Sequence, residues 1–190
     1  MTVRVTLISP AASAGLREAR FGSDTALTDS GRRAAEGAAG LLPGAEQVFA
    51  GPSRRCAQTA AALGLASVAG PGPADLDTGG WRGRTLDDLA AADPAALAGW
   101  LADPAAAPHG GESVLGLVAR VGAWLEARSG RVLAVVEPAV VRAAVVHALA
   151  LPPQAFWRLD VEPLTLTRLT GGGGRWNLSC GERLTRRPAD

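Results

Sequence analysis

The chain alternates short apolar segments with longer segments of helical periodicity, and this alternation restricts the fold more than any other feature. The first apolar segment is Val3–Ile8, and a later one, residues 131–136, is apolar over almost its whole length. Runs of this kind are typical of strands that helices cover on both faces. Strands that alternate with helices indicate a parallel sheet. The sequence therefore predicts an α/β protein, a three-layer sandwich around a mainly parallel sheet.

Capping and turn residues divide the first third of the chain. Thr28 begins a helix that is expected to run to Pro43, and residues 47–51 form a short apolar run that predicts a buried strand. Pro52 opens a second helix and Gly64 closes it, which matches the preference of helices for Pro at the start and Gly after the end. This segment therefore predicts the order helix, strand, helix.

The middle of the chain contains an irregular segment and several helices. Residues 69–84 are rich in Gly, Pro and Asp and predict a crossing loop. Residues 85–104 predict a helical insert that Pro94 and Pro104 interrupt. The longest helix is expected from residue 112 to about residue 128, because apolar residues recur there at helical spacing.

The last third predicts one helix and two strands. A helix is expected over residues 140–151, and the strands over 164–170 and 175–180 are separated by four glycines that suit a hairpin. We expect a single domain over residues 1–190, with a flexible tail from about residue 182.

Composition argues against several classes of protein. The 190 residues carry a formal net charge of +1 and 47% hydrophobic residues, which argues against disorder, nucleic-acid binding and membrane-surface binding. No run of about 18 apolar residues indicates a membrane span. Cys56 and Cys180 lie far apart, and the N-terminal apolar run is too short for a signal peptide. The expectation is a cytoplasmic protein with reduced thiols and with no metal or other cofactor.

The turn after the first strand is poor in reactive groups. Ser9, Pro10 and Ala11 follow Val3–Ile8, although the first strand-to-helix turn of an α/β protein often carries its chemistry. Ser9 has no His at a spacing that indicates a serine nucleophile. Other turns must therefore supply any reactive group.

Three stretches, taken in order, resemble the histidine phosphatase superfamily, whose members have the phosphoglycerate mutase-like fold. The first is LTDSGRRAAEGAAGLLP followed by VFAGPSRRCAQTAAALG, and the second is DLDTGGWRGRTLDDL. The third is HGGESVLGLVARV followed by RVLAVVEPAVVRAAVVHAL. Each motif alone is weakly specific, but their order and spacing together are specific. The resemblance extends to about Asn177 and implies a phosphoglycerate mutase-like α/β/α sandwich.

The resemblance implies a definite chemistry. In the family one His attacks a phosphoryl group, two Arg and a second His bind the phosphate, and an acidic residue protonates the leaving oxygen. The family's first turn reads Arg-His-Gly, so the first Arg corresponds to Ser9 and the nucleophile to Pro10. The second Arg corresponds to Arg55, the proton donor to Asp75 and the second His to Glu137. On this resemblance the phosphohistidine mechanism is absent.

These replacements make the expected pocket more acidic. Two like charges about 4 Å apart repel by roughly 4 kcal/mol at an effective dielectric near 20, or about a thousandfold in affinity. Arg55 alone does not clearly offset Glu137 and Asp75. This repulsion is expected to be relieved by Arg17 or Arg20, which lie in the segment that crosses the mouth of the pocket in the family, or by protonation of Glu137. The simpler inference is that the ligand has changed.

Other polar residues have structural alternatives. Glu137 follows an apolar strand, where an isolated carboxylate is costly, so a pair with an Arg is expected. The resemblance implies Arg55 as the first candidate, in a bidentate arrangement. Glu112 is interpreted first as a favourable charge at the start of its helix and second as a pocket residue. His109 lies in the loop PHGGES at the pocket's edge, where solvation is favoured over catalysis. His147 is expected to be structural.

The topology implied by the resemblance brings the candidate site together. Arg55, Asp75 and Glu137 should converge on one cavity, with Ser9 and Pro10 at its floor. The full set of candidate residues is catalytic Glu137 and Asp75, with binding roles for Arg55, Ser9, Pro10, Arg17, Arg20, Glu112 and His109. No spacing in this set indicates a metal site.

Two functions remain open. One is a pseudoenzyme that binds a small anionic or cationic molecule, or a partner protein, in the former phosphate pocket. The alternative is a repurposed enzyme in which Glu137 and Asp75 perform acid–base chemistry while Arg55 orients the substrate. Neither is a conventional histidine phosphatase or mutase. By size the chain is similar to the α-ribazole phosphatase-like branch, which implies a link to cobalt or cobalamin metabolism. The sequence leaves open whether the protein forms a homodimer.

Overall fold

A computed structural model describes residues 2–15, 20–22 and 24–184, with the backbone alone for residues 180–183. The described chain forms one mixed sheet, whose strands are β1 (Val3–Ile8), β2 (Gln47–Ala50), β3 (Val68–Ala69), β4 (Arg131–Val135), β5 (Thr165–Gly172) and β6 (Arg175–Arg183). Their order across the sheet is β3-β2-β4-β1-β5-β6. The pairs β2–β3, β2–β4 and β1–β4 are parallel, whereas β5 runs antiparallel to both β1 and β6.

Helices cover both faces of this sheet. They are α1 (Asp29–Ala38), α2 (Arg54–Ala62), α3 (Leu86–Ala92), α4 (Pro94–Ala102), α5 (Val114–Glu126) and α6 (Pro138–Ala148). Short 3-10 turns lie at Gly79–Trp81 and Pro153–Arg158. The predicted three-layer sandwich with a mostly parallel sheet is confirmed.

The alternation of side chains along β1 divides the core into two layers. Val5 and Leu7 belong to the larger apolar cluster, which includes buried residues of α3 to α6. Ile8 belongs to a second cluster that packs beneath α1 and α2. Because successive side chains of a strand point to opposite faces, Arg4 and Thr6 lie on the same face as Ile8. One strand therefore contributes to both layers of the core.

Two predicted element ends and one additional strand are examples of differences from the sequence predictions. Helix α1 ends at Ala38 instead of Pro43, because the chain turns at Gly40, whose φ is +86°. Val68–Ala69 is a strand of two exposed residues, too short to give a periodic signal. Strand β6 runs to Arg183, so residues 182 and 183 pair with β5 and are not part of a tail. Residues 185–190 of the predicted tail lie outside the described part.

Among the described residues, no helix combines the length and the apolar character that a membrane crossing requires.

Candidate functional site

The ends of three parallel strands bring the candidate residues to one edge of the sheet. Val136 N–H donates to the carbonyl of Ile8 at 2.9 Å, and Gly51 N–H donates to the carbonyl of Val135 at 2.8 Å. The turns after β1, β2 and β4 are therefore adjacent. The turn after β2 leads into α2, which carries Arg55, and the turn after β4 begins at Glu137.

Glu137 and Arg55 form a buried ion pair. The Glu137 side chain is 2% exposed and that of Arg55 is 15% exposed. Arg55 Nε donates to Glu137 Oε1 at 2.7 Å, and its Nη2 forms the ion pair with Oε2. Burial opposes the charge on Arg55, but the hydrogen bond and the charge of Glu137 outweigh it and raise the pKa of the guanidinium. The pairing expected from the burial argument is present.

Two further side chains of the α2 N-terminus contact the same carboxylate oxygen. Ser53, the N-cap of α2, accepts from Cys56 N–H and donates its own hydroxyl to Glu137 Oε1 at 2.5 Å. The Cys56 thiol lies 3.6 Å from Oε1. Burial, followed by the charge of Glu137, raises the pKa of this thiol well above its usual value. Cys56 is thus a neutral donor in this site.

Asp75 is the second acidic group at this edge. It lines the same cavity as Glu137 and is partly exposed there. Burial, and next the charge of Glu137, raise the pKa of Asp75 to about 7, although the N–H of Leu76, Arg55 and Arg120 act in the opposite direction. A carboxyl that titrates near neutral pH can hold or release a proton under physiological conditions.

Arg120 fixes the loop that carries Asp75. Its guanidinium donates to Glu112 Oε1 and Oε2 at 2.8 and 2.7 Å. The same group donates at 2.9 to 3.2 Å to four backbone carbonyls, those of Pro71, Gly72, Ala74 and Asp75. Glu112, a candidate pocket residue that lies just before α5, therefore pairs with Arg120 of α5, and this pair holds the loop against the helix.

The cavity at this edge has a volume of about 370 Å³ and a predominantly acidic lining. Asp77 pairs with Arg82 at 2.9 Å in an exposed ion pair. Asp24 accepts from Arg54 N–H at 2.5 Å and so occupies an N–H at the start of α2. The lining residues are Gly22, Asp24, Pro52, Ser53, Ala74, Asp75, Leu76, Asp77, Arg82 and Glu137.

The turn after β1 was expected to form the floor of the cavity, but Ser9 and Pro10 are not among the residues that line it. Ser9 directs its hydroxyl to the carbonyl of Glu162 at 2.5 Å and to the Thr165 hydroxyl at 3.1 Å. Pro10 is buried beside it, and the N–H of Ala11 donates to Thr59 Oγ1 at 3.0 Å. The hydroxyl of Ser9 is thus used to connect β1 to the start of β5.

The two arginines expected at the mouth have different outcomes. Arg17 lies outside the described residues. Arg20 is exposed and donates Nη1 to the carbonyl of Gly83 at 3.0 Å, and its backbone forms a bridge with Thr85. Arg20 therefore contacts the loop before α3, whereas its neighbour Gly22 reaches the cavity.

His109 is buried, so the expectation of a solvated side chain is wrong. Its side chain is 6% exposed and packs edge-on against Trp81 and Trp100, with ring centroids 5.1 and 6.0 Å apart. Nδ1 accepts from Gly111 N–H at 3.0 Å, which places the proton of the neutral ring on Nε2. Burial lowers the pKa of His109. Its neighbouring glycines indicated a mobile loop, but the tryptophans enclose the ring.

His147 has a structural place, as expected. It lies on α6 against Gly122 of α5, where an added Cβ would come within 2.3 Å of Nδ1. Its Nε2 lies 3.3 Å from Glu126 Oε1. In the described part of the chain, no cluster of His, Cys, Asp or Glu side chains is arranged to hold a metal ion.

Sequence reasoning assigns no role to Ser53, Arg120 or Asp24. Ser53 has a usable signal, because a Ser immediately before a helix is a preferred N-cap. The roles of Arg120 and Asp24 depend on loops that fold back from distant parts of the chain. No local pattern indicates such contacts.

The raised pKa of Asp75 predicts a pH-dependent stability difference. The unfolded pKa is about 3.9, so between pH 4 and 7 the folded state binds more protons than the unfolded state and stability falls as pH rises. Asp75→Asn removes this effect. The difference in melting temperature, variant minus parent, should therefore increase by about 3 °C or more from pH 5 to pH 8.

Asp88→Asn is the matched control for this measurement. Hydrogen bonds from Thr85 lower the pKa of Asp88, so this carboxylate stays ionised throughout the window. The difference between the Asp88 variant and the parent should therefore be the same at pH 5 and pH 8. If the difference between Asp75→Asn and the parent is also the same at pH 5 and pH 8, the raised pKa assigned to Asp75 is wrong.

Comparison with known proteins agrees with this architecture. The model of the histidine phosphatase superfamily (branch 1) matches residues 12–181. A glucosyl-3-phosphoglycerate phosphatase of Mycolicibacterium vanbaalenii is 39% identical in an alignment 99 residues long, which covers 47% of this chain and 43% of that protein. The aligned part is thus less than half of that relative.

Solved structures extend the similarity over nearly the whole chain. A mycobacterial glucosyl-3-phosphoglycerate phosphatase in complex with VO3 has a TM-score of 0.81 and 26% identity, covering 95% of this chain and 98% of that one. The protein of an open reading frame of Mycobacterium tuberculosis has a TM-score of 0.77 and 27% identity, with 95% and 98% covered.

Proposed function

Since the chain belongs to the histidine phosphatase superfamily (branch 1), we propose that it is a member without phosphohistidine chemistry, which binds a small molecule in the former phosphate pocket. The observation that carries this proposal is the buried pair of Arg55 and Glu137. In the family the equivalent Arg is available to a phosphate. Here its guanidinium already binds an internal carboxylate.

The placement of the histidines supports the absence of a phosphorylated intermediate. The sequence contains two, His109 and His147. One is enclosed by Trp81 and Trp100, and the other, on α6, lies against Gly122 and Glu126 of α5. Pro10, at the position that corresponds to the nucleophile, has no side-chain nitrogen. Neither imidazole lines the cavity, so neither is placed to attack a phosphoryl group there.

The charges of the cavity support a ligand other than phosphate. Among the described residues, Glu137 is paired with Arg55 and Asp77 with Arg82, whereas Asp75 and Asp24 form no ion pair there. A helix N-terminus often binds phosphate through its free N–H groups, but Asp24 occupies one of those of α2. A cationic or neutral molecule that donates hydrogen bonds to Asp75 fits this lining better than an anion.

Asp75 also favours a second candidate function. A pKa of about 7 suits a general acid or base at neutral pH, which would make the site a repurposed enzyme. Glu137 is less suited to proton transfer, because Arg55, Ser53 and Cys56 already engage its oxygens. In this alternative Asp75 performs the acid–base step, Glu137 acts as a positioning residue through Arg55, and the substrate contacts the cavity beside both.

A phosphatase assay tests the first proposal. The purified protein should release phosphate from p-nitrophenyl phosphate and from 3-phosphoglycerate no faster than buffer, since neither His109 nor His147 lines the cavity. A mycobacterial glucosyl-3-phosphoglycerate phosphatase, assayed in parallel, verifies the conditions. Labelled phosphate should not remain on the denatured protein at alkaline pH, where phosphohistidine survives.

Two variants make this test specific. Glu137→His should remain inactive, because Pro10 still occupies the nucleophile's position. If the parent preparation releases a trace of phosphate, Arg55→Met should release the same amount, because that background would not arise in the cavity. Phosphate release above the blank that disappears in Arg55→Met would overturn the proposal and identify a working phosphatase.

A further inference from the structure

Two loops that are joined to each other form one side of the candidate site. Residues 77–82 supply Asp77 to the acidic cavity, and residues 107–112 lie against them. A neighbouring cavity of about 520 Å³ is lined by both loops and shares Asp75 and Asp77 with the candidate site. We call these two joined loops the rim clasp.

Backbone contacts hold the rim clasp together. The N–H of Gly80 donates to the carbonyl of His109 at 2.9 Å, and the N–H of Glu112 donates to the carbonyl of Asp77 at 2.8 Å. A Cβ on Gly111 would lie 2.1 Å from the carbonyl oxygen of Asp77, so this close approach requires glycine. The loops therefore touch along their backbones, and a shift of one loop breaks both hydrogen bonds.

The side chain of His109 fixes the conformation of its own loop in the clasp. Its Nδ1 accepts from Gly111 N–H at 3.0 Å. The ring is 6% exposed and is enclosed by Trp81 of the other loop and by Trp100 of α4. Among the described residues, neither Nε2 of His109 nor Nε1 of Trp100 has a hydrogen-bond partner. The ring thus fits the clasp as a neutral imidazole whose acceptor is Nδ1.

Protonation of His109 is incompatible with this arrangement. A neutral imidazole has one N–H and one acceptor, whereas the imidazolium ion has two N–H groups and no acceptor. Nδ1–H would face the N–H of Gly111, so a contact between two donors would replace the hydrogen bond. The positive charge would also be buried between two indole rings, where it is costly. A protonated ring therefore has to leave the clasp.

Few charged groups oppose this effect. Asp77 is the neighbour whose charge favours protonation of His109, but it is exposed and already paired with Arg82 at 2.9 Å. Glu112, on the same loop as His109, is paired with Arg120. The 3-10 turn and α4, which supply the two tryptophans, contain no charged residue. Burial therefore outweighs the charge of Asp77 and lowers the pKa of His109.

We propose that His109 is a proton-operated latch of the rim clasp: the neutral ring keeps the two loops joined, and protonation releases residues 107–112 and opens the wall beside Asp75. The latch depends on the clasp alone and operates whether or not the acidic cavity binds a ligand. Because the pKa of His109 lies below its ordinary value of about 6.5, the closed clasp binds fewer protons than the released one. The closed state is therefore fully stable above about pH 6.5 and loses stability as the pH falls.

NMR of the histidine rings and of the backbone amides tests this latch. The His109 ring should titrate below the range of a free imidazole. Across that titration, the protection factor of Gly111 N–H against hydrogen exchange should fall at least about tenfold, and those of Gly80 and Glu112 should fall with it. Leu133 of β4, in the middle of the sheet, should keep its protection, because the release is local.

Three variants assign the effect to His109. In His109→Asn the amide oxygen still accepts from Gly111 N–H but does not take up a proton, so the protection of Gly111 should change by less than about twofold over the same pH range. His147→Asn, at the other histidine of the sequence, should lose protection on acidification as the parent does. Asp75→Asn removes the other group with a raised pKa beside the clasp and should also behave as the parent does.

Three outcomes would overturn the proposal. The first is a parent in which the His109 ring becomes protonated while Gly111 keeps its protection, because the charged ring would then fit the closed clasp. The second is a ring that stays neutral until the whole protein unfolds. The third is a loss of protection that persists in His109→Asn and disappears in Asp75→Asn, which would assign the opening to Asp75.

Discussion

Replacing Arg55 by Met should lower the free energy of unfolding by about 3–5 kcal/mol, because the change leaves the Glu137 carboxylate buried without its cation. Ser53 and Cys56 would still donate to Glu137 Oε1, but a hydroxyl and a thiol do not neutralise the charge. Met keeps the apolar stem of the side chain, so packing changes little. Urea denaturation followed by tryptophan fluorescence measures the loss.

A double-mutant cycle identifies the pair as the cause. Glu137→Gln alone should cost about 1–3 kcal/mol, since the amide keeps a hydrogen-bond acceptor and the partly exposed Arg55 can reach water. The double variant Arg55→Met with Glu137→Gln should be more stable than Arg55→Met, because the buried charge is gone. If the loss of stability in the double variant equals the sum of the two single losses, the two side chains contribute independently and the pair is not the cause.

Replacing Arg120 by Met should lower the free energy of unfolding by about 2–4 kcal/mol. The guanidinium supplies donors to Glu112 and to four carbonyls of residues 71–75, and their removal leaves partly buried acceptors without partners. The loop should also become more accessible, so limited proteolysis should cleave the folded variant near Asp75. Both quantities can be measured on the same preparation.

Two controls accompany this variant. Arg120→Lys keeps the charge but cannot reach all of these acceptors, so we expect an intermediate loss. Arg32→Met, on the exposed face of α1, should change stability by no more than about 0.5 kcal/mol. If Arg120→Met matches this surface control, the loop is held by other contacts and Asp75 does not depend on Arg120.

Local pattern is sufficient to predict most of the fold. Strand β1 is predicted with its bounds, because the apolar run 3–8 ends at a turn. The end of α1 is not, since Pro43 is the first residue after Ala38 that strongly opposes a helix, whereas the chain already turns at Gly40 with a positive φ. The ends of elements are decided by tertiary packing as much as by the sequence that forms them.

The candidate site is predictable where burial dictates chemistry. A carboxylate directly after a central apolar strand needs a cation, and the resemblance to the family indicated Arg55. The contacts of Arg120 and the enclosure of His109 could not be foreseen, because the partners lie far away in sequence. Ser9 has a hydroxyl at the expected edge, but its orientation is decided by Glu162 and Thr165 of the β5 segment.

The Arg55–Glu137 pair also has a consequence for evolution. Loss of Arg55 alone leaves a buried carboxylate without its cation, whereas loss of Glu137 alone leaves a cation that can reach water, so the substitutions that one position accepts depend on the residue at the other. Glu137 therefore has to change before Arg55 does: as long as position 137 carries a carboxylate, the requirement for stability keeps a cation at position 55.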